Sequence, residues 1–418
     1  MKKIMFIVIA LVMITAVVLT GCNTTTPAVE ADAPADDAGD AADDATADDA
    51  TAEEAEMSNL DKSLALNIDS VVGSDGQPLL LDLEKKDVPE RPADPDALPE
   101  EDPLHWYDME YAGWGAMDKE NIPASPADGS IGKKVIVIIN GDHPYLTAYS
   151  NGATIAAEAY GMDIQIMSPN WDLNVQNQQV DQAINAKPDM IILIPLDAKA
   201  AVTQFRRIND AGVPCIASNM LPEAEAMKYV IGWAGPDDWG QFRMLADVLA
   251  EEIGGKGGVA YVQHAPGGSP YFARCWGPLS QFAANYPDIV TLDKQAPGFE
   301  ADKTKQLVSD WITKFGDELT AIVAADDSAQ AIGIIEALKE AGREDVKVIA
   351  AGNSKIGMDY IASGELLAIS YQSAEADGAT PIKMAADWFN GLDVDPVYYL
   401  PKHVITQADV ADFLPAQW

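Results

Sequence analysis

Five consecutive apolar residues, Val135 to Ile139, mostly β-branched, run into a polar loop, Asn140-Gly141-Asp142-His143-Pro144-Tyr145, and then into a helical pattern ending at Tyr160-Gly161. A strand with no polar face is buried on both sides, which is the condition of strands in a parallel sheet. The plan recurs along the sequence. Strands are predicted at 135–140, 163–167, 190–194, 215–218 and 229–233, with helices near 147–160, 173–186 and 199–211. A second series has strands at 259–263, 289–292, 321–324, 347–350 and 367–371, with helices near 237–253, 271–285, 301–315, 328–341 and 355–362. A last helix over 376–390 and a short strand over 398–400 close the pattern. Strands and helices that alternate across short loops make right-handed βαβ crossovers. Two similar sets therefore predict an α/β fold of two doubly wound, parallel-sheet (Rossmann-like) domains rather than one sheet. In such sheets ligands bind beyond the carboxyl ends of the strands, so the loop 140–145 becomes one wall of a site.

The amino-terminal stretch follows other rules. Lys2-Lys3 precede an apolar run to about Leu19, the charged and apolar regions of a secretory signal. Leu19-Thr20-Gly21-Cys22 resembles a bacterial lipobox, which implies cleavage before Cys22 and lipidation of its thiol. Residues 1–22 are thus read as a lipoprotein signal. Residues 23–57 hold about a dozen Asp or Glu and no Lys or Arg, interleaved with Ala, and cannot bury enough apolar surface to offset their ordering entropy. They are expected to be a disordered acidic tether. Residues 58–132 are rich in Pro and acids but carry Trp106, Tyr107, Tyr111 and Trp114, so this stretch is expected to pack on the body as an extended arm, or else to reach the ligand cleft. The formal charge of −39 argues against nucleic acid, whose binding needs basic patches. Beyond Cys22 only Cys215 and Cys275 remain, in different predicted domains, so a bridge between them is not expected.

The usual catalytic motifs are absent. The four His show no HExxH or CxxC-type metal spacing, and no GxSxG elbow occurs. Neither a metal nor another cofactor is expected. Gly254 to Gly258 precede a strand and read as a turn, whereas Ala265-Pro266-Gly267-Gly268-Ser269 follow a strand, open a helix and read as cleft lining. Asp326-Asp327 leave a strand, where adjacent side chains point to opposite sides, so only Asp326 is expected to face a site. Tyr145, Trp233, Trp239, Tyr271, Phe272, Trp276 and Phe299 all fall at or just past predicted strand ends. Read as a group, these rings suit a ligand with apolar C–H faces and hydroxyl edges.

The body from about Lys133 to Gln407 resembles the type I periplasmic binding proteins of the ribose and galactose kind, the solute receptors of ABC importers. The resemblance rests on His143-Pro144-Tyr145, Ile194-Pro195-Leu196-Asp197, Ala211-Gly212-Val213-Pro214 with Ser218-Asn219, Phe299, Ala325-Asp326-Asp327 and Gln372. It implies two lobes joined by three crossovers, near 234–236, 372–374 and 400–402. One lobe comprises 133–234 with 373–401, the other 235–372 with 402–418. It also implies ligand contacts from Asp142, His143, Tyr145, Asn219, Tyr271, Arg274, Trp276, Phe299, Asp326, Asn353 (or Gly352) and Gln372. Where ribose-type receptors place Arg after the fourth strand and in a following helix, this protein has Met220 and Trp276, with Arg274 two residues away. Loss of those guanidinium forks argues against a pentose such as ribose and leaves open a ligand with more ring surface, or one carrying positive charge for Asp142 and Asp326.

The expected function is that of a lipid-anchored, monomeric solute receptor on the outer face of the cell membrane, handing a small sugar or polyol to an ABC permease without chemical change. A sensor feeding a chemoreceptor or histidine kinase, and an extracellular glycoside-acting enzyme, are the alternatives.

Overall fold

A computed structural model describes residues 57–115 and 118–418, and all of these belong to one compact unit. The signal with Cys22 and the acidic tether up to residue 56 lie outside the described residues.

The arm carries three short helices, α1 (Asn59–Leu64), α2 (Tyr107–Glu110) and α3 (Ala112–Gly115). The body then alternates strand and helix: β1 (Lys134–Ile138), α4 (Pro144–Ala159), β2 (Asp163–Met167), α5 (Leu173–Ala186), β3 (Met190–Leu193), α6 (Ala198–Asp210), β4 (Cys215–Ser218) and β5 (Trp233–Gly235). It continues with α7 (Asp238–Glu252), β6 (Lys256–Val262), α8 (Ser269–Asn285), β7 (Asp288–Gln295), α9 (Ala301–Phe315), β8 (Leu319–Ala324), α10 (Ala329–Ala341), β9 (Lys347–Ala350), α11 (Lys355–Ser363) and β10 (Ala368–Ser370). Last come α12 (Ala374–Phe389), β11 (Val397–Tyr399) and β12 (Val404–Thr406).

Two six-stranded sheets result, in the orders β11-β5-β4-β3-β1-β2 and β12-β10-β9-β8-β6-β7. Every pairing is parallel except β10 with β12. The polypeptide passes between the sheets after β5, after β10 and after β11, so each sheet is completed by a strand from the far side of a crossover. In both sheets the strand order reverses beside the first strand, β1 or β6, which opens a crevice at the strand tips. Strand interiors such as Val135, Val137, Ile191 and Ile192 are fully buried, as continuous apolar runs require.

Two readings need correction. The strand expected at 229–233 begins only at Trp233, because Ala224–Tyr229 coils into a 3-10 helix. The stretch after residue 400, where no further strand is expected, adds β12 as an antiparallel edge, with Ser370 opposite Val404. Cys215 and Cys275 are free and buried in separate cores.

The arm packs across both sheets' layers. Ile68 and Leu79 enter the core beneath β1, while Trp106 joins the core around α7 and α8. Between them, Glu84 N–H donates to the Tyr399 carbonyl at 2.9 Å, and Lys86 pairs with Asp237 (2.7 Å) and Glu110 (2.8 Å). Glu110 also receives both guanidinium nitrogens of Arg243 at 2.5 Å. Burial alone would raise the Glu110 pKa, but Arg243 and Lys86 hold it below the ordinary carboxylate value.

Candidate functional site

The strand tips of the two sheets face one another across a cleft lined from both sides, the kind of crevice between domains where small molecules bind. On the first-sheet side the loop after β1 is fixed by its helix start. Pro144 occupies the first turn of α4, where its missing N–H costs nothing. His143 caps that turn, its Nδ1 accepting from Tyr145 N–H at 3.2 Å. The cap leaves the proton on Nε2, and burial pushes the pKa of His143 below its ordinary value against the pull of Asp326. His143 is therefore a neutral donor.

Tyr145 and Asn219 converge on one buried carboxylate. The phenol donates to Asp377 Oδ2 at 2.8 Å and the Asn219 amide to the same oxygen at 2.5 Å. Asn219 holds a left-handed φ of 57° at the end of β4, a conformation its short polar side chain tolerates. Asp377 lies in the first turns of α12, and burial raises its pKa to about 7, opposed by the bonds from Asn219 and Tyr145.

The second-sheet side supplies Asp326, Arg274 and Phe299. Asp326 follows β8, is 5% exposed, and accepts from Ser328 Oγ (2.8 Å) and Gln330 N–H (3.1 Å). It makes no ion pair among the described residues. Arg274 reaches in from α8 and is tied to Asp238 (2.9 Å) and to the Ala325 carbonyl (2.7 Å). Its positive charge is therefore matched within the protein. Gln330 also donates to the Gly298 carbonyl at 3.1 Å, which sets the loop carrying Phe299. The Phe299 ring meets His264 edge-on at 4.8 Å and lies 6.2 Å from Trp171. His264 Nδ1–H points to the Ala265 carbonyl, and burial together with Arg274 pushes its pKa down to about 3, so Nε2 is an acceptor. Asn140 Oδ1 is buried in this cleft with no hydrogen-bond partner among the described residues.

Of the expected site residues, His143, Tyr145, Asn219, Arg274, Phe299, Asp326 and Gln372 line the cleft. Four do not. Asp142 is exposed, and its carbonyl accepts from the Trp171 indole at 3.2 Å. Asn353 turns away to accept from Gln372 N–H at 3.0 Å, and Gly352 takes its place in the lining. Tyr271 and Trp276 are corrected by helix phase. Pro270 and Arg274, four apart, share the cleft face of α8, whereas Trp276, two positions beyond Arg274, turns to another face, and the Tyr271 ring lies with it, 5.9 Å away. Trp276 instead lies 4.8 Å from Trp106 of the arm, with Tyr271 and Phe272 beside it. Trp233 and Trp239 are likewise core residues, 0% and 2% exposed. No described arm residue lines the cleft.

Sequence reasoning missed Trp171, His264 and Trp418 as lining residues. The first two follow β2 and β6, so the strand-end rule applied to every loop would have found them. Trp171 lies over Gly141, where an added Cβ would stand 2.2 Å from the indole nitrogen. Among the described residues no helix is long and apolar enough to cross a membrane, and no group of three or more His, Cys, Asp or Glu is placed to hold a metal ion.

Two parallel α/β lobes closing on a cleft at their strand tips define a bilobal solute-binding protein. The chain belongs to the periplasmic binding protein domain family, whose profile matches residues 132–393. It is 30% identical over 281 residues to the xylitol-binding protein of Mycolicibacterium smegmatis, covering 67% of this chain and 79% of that protein. It is 26% identical over 267 residues to the ribose import binding protein of Bacillus subtilis, covering 64% and 84%. The fold is similar to that of an ABC transporter periplasmic solute binding protein from Actinobacillus succinogenes with bound D-allose. There the TM-score is 0.62 at 24% identity, over 67% of this chain and 99% of that one. A solute binding protein from Bacillus halodurans with bound myo-inositol gives a TM-score of 0.62 at 24% identity, over 68% and 97%. These relatives are binding proteins, not enzymes.

Proposed function

We propose that this protein is the extracytoplasmic solute receptor of an ABC importer, and that it holds a small neutral sugar or polyol between its lobes. The observation that carries the reading is the pairing, in one cleft, of aromatic faces with polar groups whose charges are mostly spent within the protein. Arg274 is matched by Asp238, and both imidazoles are neutral, one a donor and one an acceptor. Asp326 offers a carboxylate to hydroxyl donors, and Phe299 offers a face to the C–H groups of a cyclic or open carbon skeleton. The named relatives bind xylitol and ribose, which fits the same chemistry. The guest leaves unaltered: its release to a permease follows reopening of the lobes about the three crossovers, a hinge motion. Cys22 provides a lipid anchor, so a Cys22→Ala variant is expected to lose incorporation of radiolabelled palmitate.

Calorimetry of the purified protein against xylitol, myo-inositol, D-allose and D-ribose tests the reading. Saturable binding of at least one is expected, with thermal unfolding shifted upward, since a ligand at 100 times its Kd adds ~2.7 kcal/mol. Failure to bind any member of this set and of a wider panel of neutral sugars and polyols would overturn it.

A further inference from the structure

We infer that Trp418 is a ligand-contacting residue that sets specificity, delivered to the cleft by a tail latched to the hinge. The inference rests on the solute-binding reading and deepens it. The family match ends at residue 393, so this wall of the site lies outside the part of the sequence that the family profile covers.

The tail is held on three sides. Lys355 N–H, at the start of α11, donates to the Trp418 carbonyl at 2.7 Å. Gln417 donates to Asp75 of the arm at 2.8 Å and to Ser373 Oγ at 3.1 Å, and accepts from Glu375 N–H at 3.1 Å. Ser373 and Glu375 open α12, beside the second crossover. The backbone of Trp418 is thus fixed to the second lobe and its neighbour to the hinge. Its indole crosses to the first lobe, with ring centroids 5.6 Å from His143 and 5.4 Å from Tyr145.

Two details tie the ring to ligand recognition. Gly352, with φ of 99°, lies directly under the indole, and a Cβ there would stand 3.0 Å from two of its ring carbons. Any side chain at 352 would both strain the backbone and displace the ring. The indole nitrogen is buried with no hydrogen-bond partner among the described residues, as are those of Trp114, Trp233 and Trp276, but of these four rings only that of Trp418 lines the cleft. A buried indole N–H ordinarily finds an acceptor. In a cleft shaped for a polyol that acceptor is a ligand hydroxyl, while the ring face covers adjoining C–H groups.

The test is calorimetry of the full-length wild type, Trp418→Phe, Trp418→Ala and Gln417→Ala with xylitol, myo-inositol and D-ribose as probes. Trp418→Phe keeps a face and loses the N–H, and is expected to weaken the tightest probe about fivefold. Trp418→Ala loses both, about thirtyfold. Gln417→Ala falls between them. The loss is expected to differ among the probes, so that their rank or spacing changes. Should Trp418→Ala fail to fold, the Phe variant carries the test alone. Wild-type binding retained within twofold in every variant that folds would overturn the inference and leave the receptor reading standing. A uniform loss across probes, matched by a lowered Tm, would also overturn it, as a packing effect. A wild type that binds none of the three probes would overturn this inference, whereas the receptor reading falls only on the wider panel.

Discussion

Two groups of aromatic rings flank helix α8, and they are alike in composition but opposite in use. On one side, Trp239, Phe272 and Trp276 surround Trp106 from the arm, their ring centroids between 4.8 and 6.2 Å from its own. On the other, Phe299, Trp171, His143 and Trp418 surround a space that no residue fills. The first group is packed shut within the protein: Trp106 is 9% exposed and its indole N–H donates to the Glu100 carbonyl at 2.9 Å, although the Trp276 indole nitrogen is buried there without a partner among the described residues. The second leaves Asn140 Oδ1 and the Trp418 indole nitrogen buried without partners among the described residues. Rings at strand ends do not by themselves mark a site; what marks it is the space left unfilled among them. A filled cluster contributes stability, an open one affinity.

Separating those two contributions by mutation is the way to break the comparison. The largest expected effect belongs to the filled cluster. Trp106→Ala deletes a large buried ring and is expected to cost ~3–5 kcal/mol of stability, seen as a lower Tm or denaturant midpoint. Sugar affinity should stay within about twofold in the folded fraction. A large loss of affinity would mean that the two clusters act as one. Asp326→Ala is the converse. It removes the carboxylate facing the cleft and is expected to weaken binding about 100-fold, a change of ~2.7 kcal/mol by calorimetry. Phe299→Ala should weaken binding by roughly tenfold while unfolding changes little, because this ring is covered by ligand rather than by protein. If Phe299→Ala destabilised the protein as much as Trp106→Ala, the distinction between the clusters would fail.

The same comparison explains what could be read from the residues alone. The alternating apolar runs carry both sheets, because a strand buried on two faces leaves a signature that needs no tertiary information. Asp326 was legible for a similar reason, since neighbours leaving a strand diverge. Asp327 does turn away, accepting from Ser354 N–H at 2.8 Å. Tyr271 and Trp276 were not legible, because their fate depends on which face of α8 the distant arm covers. Trp418 was beyond reach altogether. Its place is decided by Gln417 meeting Asp75 and Ser373, contacts spanning 342 and 44 residues that no local pattern encodes.

A last expected effect is one of pH, and it bears on how the open cluster is held in shape. Asp377 Oδ2 accepts from both Tyr145 and Asn219, while Oδ1 is buried with no partner among the described residues. That geometry suits the neutral acid, with its proton on Oδ1, and burial raises the pKa to about 7. The sign follows from linkage. A carboxyl whose folded pKa lies above its unfolded value of about 3.9 binds its proton more tightly in the native state, so its contribution to stability grows as pH falls from about 7 toward about 4. Asn at this position mimics the neutral acid and cannot titrate. The stability of wild type minus that of Asp377→Asn should therefore rise as pH is lowered through this window, by up to about 1.4 kcal/mol per pH unit. Taking the difference removes the opposing trend from His264, whose depressed pKa favours the folded state as pH rises. Urea melts of both proteins at several pH values measure it. A difference that stays flat would mean that Asp377 is ionised at neutral pH, and that Tyr145 and Asn219 are held by a full charge rather than by an acid.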